Sequence, residues 1–129
     1  MDASIAVQWL SDETGSETAI RLVHAPISLV APDFMPIEAA NAWWKKARRG
    51  DMPAADVEQA VASLLTLDIE LVPTLGLLTR AARLATTLHH PVYDCLYIVV
   101  ATRRGAQLAT ADERLRRLAQ HADVPLWRR

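Results

Sequence analysis

At 129 residues the chain has the length of one compact domain with room for a substantial core, and 51% of its residues are apolar. No run approaches the roughly 20 apolar residues that a membrane-spanning helix needs, and one cysteine, Cys95, excludes an intrachain disulfide and a cysteine-built zinc cage. The formal charge of −1 hides a clustered distribution: Lys45, Lys46, Arg48 and Arg49; Arg103 and Arg104; Arg114, Arg116 and Arg117; and Arg128 and Arg129. Basic patches can therefore coexist with acids gathered elsewhere, and a nucleic-acid partner is not excluded. The start, Met1-Asp2-Ala3-Ser4, lacks the basic stretch, apolar run and small-residue cleavage site of a secretion signal. A soluble, cytoplasmic single domain over residues 1–129 is expected, with Cys95 in its core.

Ser4 can cap a first helix that runs through Leu10. Ser16 or Glu17 opens a second, carrying Ala19, Ile20, Leu22 and Val23. Ile27 to Val30 reads as a short strand, Ala31-Pro32 as a turn and Asp33 as an N-cap. Phe34, Ile37, Asn41 and Trp44 then recur at helical spacing until Gly50 stops the helix. Asp51 and Pro53 open a helix with Val57, Val61, Leu64 and Leu65 on one face. Ile69 to Val72 is the next strand, broken by Pro73, and Leu75, Leu78, Ala82 and Ala85 mark a helix ending near His89-His90-Pro91. Tyr93 to Thr102 is almost continuously apolar, as in a helix buried on most of its surface, and Gly105 ends it. Gln107 to Thr110 is a strand, Asp112 to Gln120 a basic amphipathic helix, and Val124 to Trp127 a last strand. This alternation predicts an α/β fold, a mainly parallel twisted sheet covered by helices on both faces.

Open parallel sheets place their sites beyond the carboxyl ends of the strands. Asp112 follows the strand ending at Thr110, and Glu38 lies early in the helix entered from the strand at Val30. Asp94 opens a helix whose far end feeds the strand at Gln107, so Asp94 itself belongs at the carboxyl edge. Asp2 stands just ahead of the first helix, where a residue leaving a strand would be. Each acid alone fits a plainer role: Asp94 and Asp112 suit helix N-termini, Asp2 a chain end and Glu38 a solvated helix face. Together, four carboxylates repel one another unless protons or a cation intervene. Mg²⁺ prefers such oxygen ligands, and in that setting can generate hydroxide and polarise a phosphodiester.

Four stretches carry a resemblance that covers nearly the whole chain: Asp2-Ala-Ser-Ile-Ala-Val-Gln-Trp-Leu10, Ala31-Pro-Asp-Phe-Met-Pro-Ile-Glu-Ala-Ala-Asn-Ala42, Val92-Tyr-Asp-Cys-Leu-Tyr97 and Leu108-Ala-Thr-Ala-Asp-Glu-Arg-Leu115. In order and spacing they resemble the PIN domain family, and within it the VapC-type toxin ribonucleases. The resemblance implies a PIN-like three-layer sandwich and an acidic quartet of Asp2, Glu38, Asp94 and Asp112 that holds one or two Mg²⁺ or Mn²⁺ ions. Ser4 and Thr110 are then supporting polar groups. It further implies an endoribonuclease, the toxin of a toxin–antitoxin system, that forms homodimers, cuts RNA to inhibit translation and is silenced by a cognate antitoxin. Cleavage would leave a 5′-phosphate and a 3′-hydroxyl. In the family several apolar residues precede the first aspartate and form the central strand; here Met1 alone does. Either the strand is a stub or the chain start lies further upstream, and an α-amino group at Met1 would stand close to the acids.

Trp44 is expected in the core and Trp43 on a partner-facing surface, since adjacent helical residues point apart. His89 and His90 suit a helix C-terminus better than a metal, and Tyr93 and Tyr97 share a helix face as packing residues. Two alternatives stand beside the toxin ribonuclease: a PIN nuclease with another nucleic-acid substrate, and a catalytically silent PIN-like module that binds RNA or protein. A phosphotransfer fold fits poorly, because Asp2-Ala-Ser4 lacks a second aspartate two residues on.

Overall fold

The computed structural model describes residues 1–10 and 16–128; Arg129 of the last basic pair lies outside them. Within these residues the chain forms seven α-helices: α1 (Ala3–Trp9), α2 (Ser16–His24), α3 (Met35–Arg48), α4 (Ala54–Leu65), α5 (Leu78–Leu88), α6 (Val92–Arg104) and α7 (Glu113–His121). Two strands, β1 (Leu29–Pro32) and β2 (Ile69–Val72), pair in parallel with Leu29 opposite Ile69 and Pro32 opposite Val72. A 3₁₀ turn, Leu75–Leu77, leads into α5.

The sheet is smaller than the alternation predicts. The segment at Leu108 meets the one at Leu126 only as an isolated parallel bridge, made by Leu108 N–H to Pro125 O (2.8 Å) and Trp127 N–H to Leu108 O (2.9 Å). Pro125 has no N–H to extend the ladder. On the other side, Asp2 N–H donates to Ala109 O at 3.1 Å, and the Met1 amino group donates to Val30 O at 2.8 Å. Met1 and Asp2 thus lie between β1 and the Leu108 segment, where a central strand would run, and are tied to both neighbours by single bonds. Parallel pairing is present between β1 and β2 and at the Leu108–Leu126 bridge, and among the described residues only β1 and β2 form a continuous ladder.

Several boundaries move from their expected places, each for a local reason. Asp2, not Ser4, caps α1: its Oδ1 accepts the Ile5 N–H (3.3 Å) while Ser4 sits in the first turn. The strand expected at Ile27–Val30 shifts to Leu29–Pro32, so Ala31 and Pro32 pair with β2 instead of turning. Asp33 does not cap α3; Phe34 holds that position without a side-chain bond, and Asp33 accepts the Thr74 hydroxyl at 2.8 Å, joining the ends of β1 and β2. Pro36 in the first turn suits a start of this kind.

The tryptophans are reversed from expectation. Trp43 is 1% exposed and Trp44 50%. The inward face of α3 is Met35, Ala39 and Trp43, spaced by four, whereas Ile37 and Trp44 point to solvent. Likewise α5 packs through Ala81, Leu84, Ala85 and Leu88, with Leu75 and Leu78 left outside. Helix α6 is buried without interruption from Asp94 to Ala101, including Cys95, and contacts β1, α5 and α7. Burial of that run contributes about 1.5–3 kcal/mol for each large side chain removed from water. Gly105, in the left-handed conformation at φ 58°, ends α6. Among the described residues no helix is long and apolar enough to cross a membrane.

Candidate active site

The carboxyl edge of the sheet gathers side chains from the starts of α1, α3, α6 and α7. Asp2 is the most enclosed, 5% exposed. Its Oδ1 accepts Ser4 Oγ–H at 2.6 Å, and its Oδ2 accepts Thr110 Oγ1–H at 2.6 Å. Ser4 Oγ in turn accepts the Ala111 N–H (2.8 Å), and Thr110 Oγ1 accepts the Asp112 N–H (3.0 Å). Two hydroxyls therefore each donate to Asp2 and receive from the loop that leads into α7. This closed network ties the start of the chain to residues 110–112. Burial pushes the Asp2 carboxyl up, and the hydroxyl donors oppose that shift. The same burial pushes the Met1 amino group down.

Glu38 sits one turn into α3. Its Oε1 accepts Tyr97 O–H at 2.6 Å, and Tyr97 is held edge-on against Phe34, as is Tyr93, with ring centres 5.4 Å apart in each pair. Tyr97 is thus more than a packing residue, and Tyr93, 60% exposed, is less of one than expected. Burial pushes Glu38 upward; Tyr97 pulls it down, and the charges of Asp2 and Asp94 push it up again. The Tyr97 phenol is driven well above its usual range by burial and by Glu38.

Asp94, in the first turn of α6, is 8% exposed, and its Oδ2 accepts Arg114 Nε–H at 2.9 Å. Burial raises its pKa; Arg114 opposes this and Asp112 adds to it. Asp112 is the N-cap of α7, with Oδ1 accepting the N–H groups of Arg114 (2.8 Å) and Leu115 (3.4 Å). Arg114 therefore touches two acids, one through its guanidinium and one through its backbone.

The four acids differ in what they have left to offer. Both oxygens of Asp2 are bonded, whereas Glu38 Oε2, Asp94 Oδ1 and Asp112 Oδ2 have no hydrogen bond among the described residues. An all-oxygen donor set with three free carboxylate oxygens is the chemistry a hard divalent cation takes. Mutual repulsion already raises Glu38, which a cation would relieve. Among the described residues no three acidic, histidine or cysteine side chains stand together as a ready-made metal cage. His89 adopts the left-handed cap of α5, and the charge of His90 is felt at Asp94 without a hydrogen bond between them.

Tyr97 and Arg114 are the residues that sequence reasoning does not assign to the site. A local signal exists for Tyr97, which lies three residues after Asp94 on the same helix face, and none for Arg114, since positions two apart on a helix do not face each other.

This arrangement, acids delivered by the starts of four helices to one edge of a parallel sheet, is that of a known class, and the chain belongs to the PIN domain family: its sequence matches the family profile over residues 1–120. Among known proteins it is similar to Ribonuclease VapC3 of Pyrobaculum aerophilum, 30% identical over 117 residues that cover 89% of each chain, which sets it on the VapC-type side of the family.

Proposed function

We propose that this chain is a divalent-cation-dependent endoribonuclease, the toxin of a toxin–antitoxin pair, acting in the cytoplasm on tRNA, rRNA or mRNA to inhibit translation. The observation that carries it is the asymmetric quartet: one acid locked by hydroxyls and three with an unused oxygen. The name and coverage of the VapC3 relative support the choice of RNA. Asp2, Glu38, Asp94 and Asp112 would hold Mg²⁺ or Mn²⁺, which when bound supplies an activated water and charge stabilisation at phosphorus. The chain's own residues do the positioning. Ser4 and Thr110 keep Asp2 from turning away, Tyr97 fixes Glu38 through Oε1 so that Oε2 stays available, and Asp112 holds the first turn of α7 in register. Arg114 bonds Asp94 through Oδ2 and leaves Oδ1 as the oxygen that would face a cation. Hydrolysis then leaves a 5′-phosphate and a 3′-hydroxyl. A homodimer and a cognate antitoxin belong to this reading.

One observation favours a second reading, a catalytically silent module: among the described residues the acids form no closed cage, and a guanidinium already occupies Asp94. The two separate in one experiment. Purified full chain incubated with single-stranded RNA and tRNA is expected to cleave with Mg²⁺ or Mn²⁺ and to stop with EDTA, and Asp94→Asn is expected to lower cleavage by at least about a hundredfold. RNA that stays intact under every cation tested would leave the silent module standing.

A further inference from the structure

Beside the acids an open groove of about 480 Å³ runs between α1 and α3, starting at Glu38 and Ser4 and ending at Lys45. Its α3 wall presents Glu38, Asn41, Ala42 and Lys45, the i, i+3, i+4, i+7 face of that helix. The alanines Ala3, Ala42 and Ala111 line it without filling it. At 1.5 Å per residue, Lys45 lies roughly 10 Å along the helix from Glu38.

Among the described residues the charge at the far end has no ion-pair partner. Among the four basic residues near the end of α3, Arg48 lies over the Trp44 ring at 5.5 Å, Arg49 pairs with Asp51 at 3.0 Å, and Lys46 is engaged as well. Lys45 is exposed and makes no ion pair among the described residues. Asn41, between Glu38 and Lys45, is exposed with its amide unbonded among these residues, so it offers a donor and an acceptor to whatever occupies the groove.

We infer that this groove seats the RNA strand on one side of the scissile phosphate, with Lys45 bonding a neighbouring phosphate and Asn41 reading the base edge between them. The inference rests on the nuclease reading above and adds where the strand runs. A strand that delivers one phosphodiester to the carboxylates must continue from them, and this groove opens at Glu38 and carries, at phosphate reach, a cation with no ion pair among the described residues. Acids at one end and a cation at the other suit a chain whose reacting centre and backbone demand different partners. A phosphate contact fixes register without reading sequence, and an amide on a base edge reads it.

The test is binding of fluorescently labelled single-stranded RNA to the full chain in EDTA, followed by anisotropy across a salt series. Lys45→Ala is expected to weaken binding about five- to tenfold at low salt, equally for oligonucleotides of different sequence, and to reduce the slope of log K against log salt by about 0.7 to 1. Lys45→Arg should restore both. Asn41→Ala should leave the slope unchanged and alter the ranking of oligonucleotides that differ next to the cut. Arg83→Ala, which removes a charge from the separate groove between α5 and α6, should change neither. An unchanged slope in Lys45→Ala overturns the assignment. If that variant instead weakens only the binding of a polyglutamate peptide, the groove is a protein-docking surface and the RNA assignment is overturned. The nuclease reading fails separately: RNA bound with a Lys45-dependent slope but never cut refutes catalysis and leaves the groove, whereas RNA neither bound nor cut refutes both.

Discussion

The two sides of the carboxylate cluster are built on opposite plans. On the Asp2 side both carboxylate oxygens face internal donors, and the acid is an anchor for chain segments more than a hundred residues apart: Thr110 bonds Asp2 across a separation of 108. On the side of Glu38, Asp94 and Asp112, each acid has one oxygen tied to the protein and one left open among the described residues. The difference separates two tasks that a single list of acidic residues conflates. A carboxylate bonded by a hydroxyl on each oxygen fixes the frame and offers a ligand only its remaining lone pairs, while one held by a single oxygen keeps its direction and has a whole oxygen to offer.

The largest expected effect comes from breaking the Asp2 side. Asp2→Ala leaves the Ser4 and Thr110 hydroxyls and the Ile5 N–H without their acceptor in a buried setting and should cost about 2–4 kcal/mol of stability, measured by urea unfolding, along with all cleavage. A variant as stable as the parent would show that Asp2 is no anchor. A smaller and more selective effect is expected on the open side. Tyr97→Phe removes only the hydroxyl that orients Glu38, so the ring packing against Phe34 survives while activity falls about tenfold. Thermal unfolding should move little; equal losses in stability and rate would assign Tyr97 to packing alone.

Much of this plan is legible in the order of residues along the chain. Periodicity places α3, α4, α6 and α7 within a few residues, because each pairs an amphipathic or apolar run with a firm boundary such as Gly50 or Gly105. Strand β2 falls on Ile69–Val72 as expected, since Pro73 closes a run that begins and ends on β-branched residues. The errors arise where two neighbours compete for one role. Ser4 and Asp2 both suit an N-cap, and only the hydrogen bonds show that Asp2 takes it while Ser4 turns back onto Asp2. Trp43 and Trp44 are equivalent to composition, and the choice follows from the Met35–Ala39–Trp43 row, which periodicity started from Phe34 misses. The acids are visible from topology because helix starts must lie at one sheet edge. Spacing from Asp94 puts Tyr97 on the right helix face, but its bond to Glu38, like that of Arg114 to Asp94, joins two helices and depends on packing that no local pattern encodes.

The smallest effect tests whether the open side is held against its own electrostatics. Burial raises Glu38, and the charges of Asp2 and Asp94 raise it further, so its folded-state pKa lies above the unfolded value of about 4.3. A carboxyl raised in the folded state binds its proton more tightly when folded. Its contribution to stability is present in full below about pH 4.3 and is lost as pH rises through the raised folded value. Asp94, also raised by burial, adds to the same trend, while its Arg114 partner moderates it. In EDTA, the part of the melting temperature owed to Glu38 should therefore decline from mildly acid pH towards neutrality. Glu38→Gln should flatten that decline and raise the melting temperature at neutral pH by a few degrees, as removing a like charge from a functional site commonly does. Saturating Mn²⁺ should stabilise the parent at neutral pH more than it stabilises Glu38→Gln, because only the parent has that repulsion to relieve. A Glu38→Gln protein less stable than the parent at neutral pH would mean that the Tyr97 bond outweighs the repulsion, and the open side would then be as much a structural anchor as Asp2.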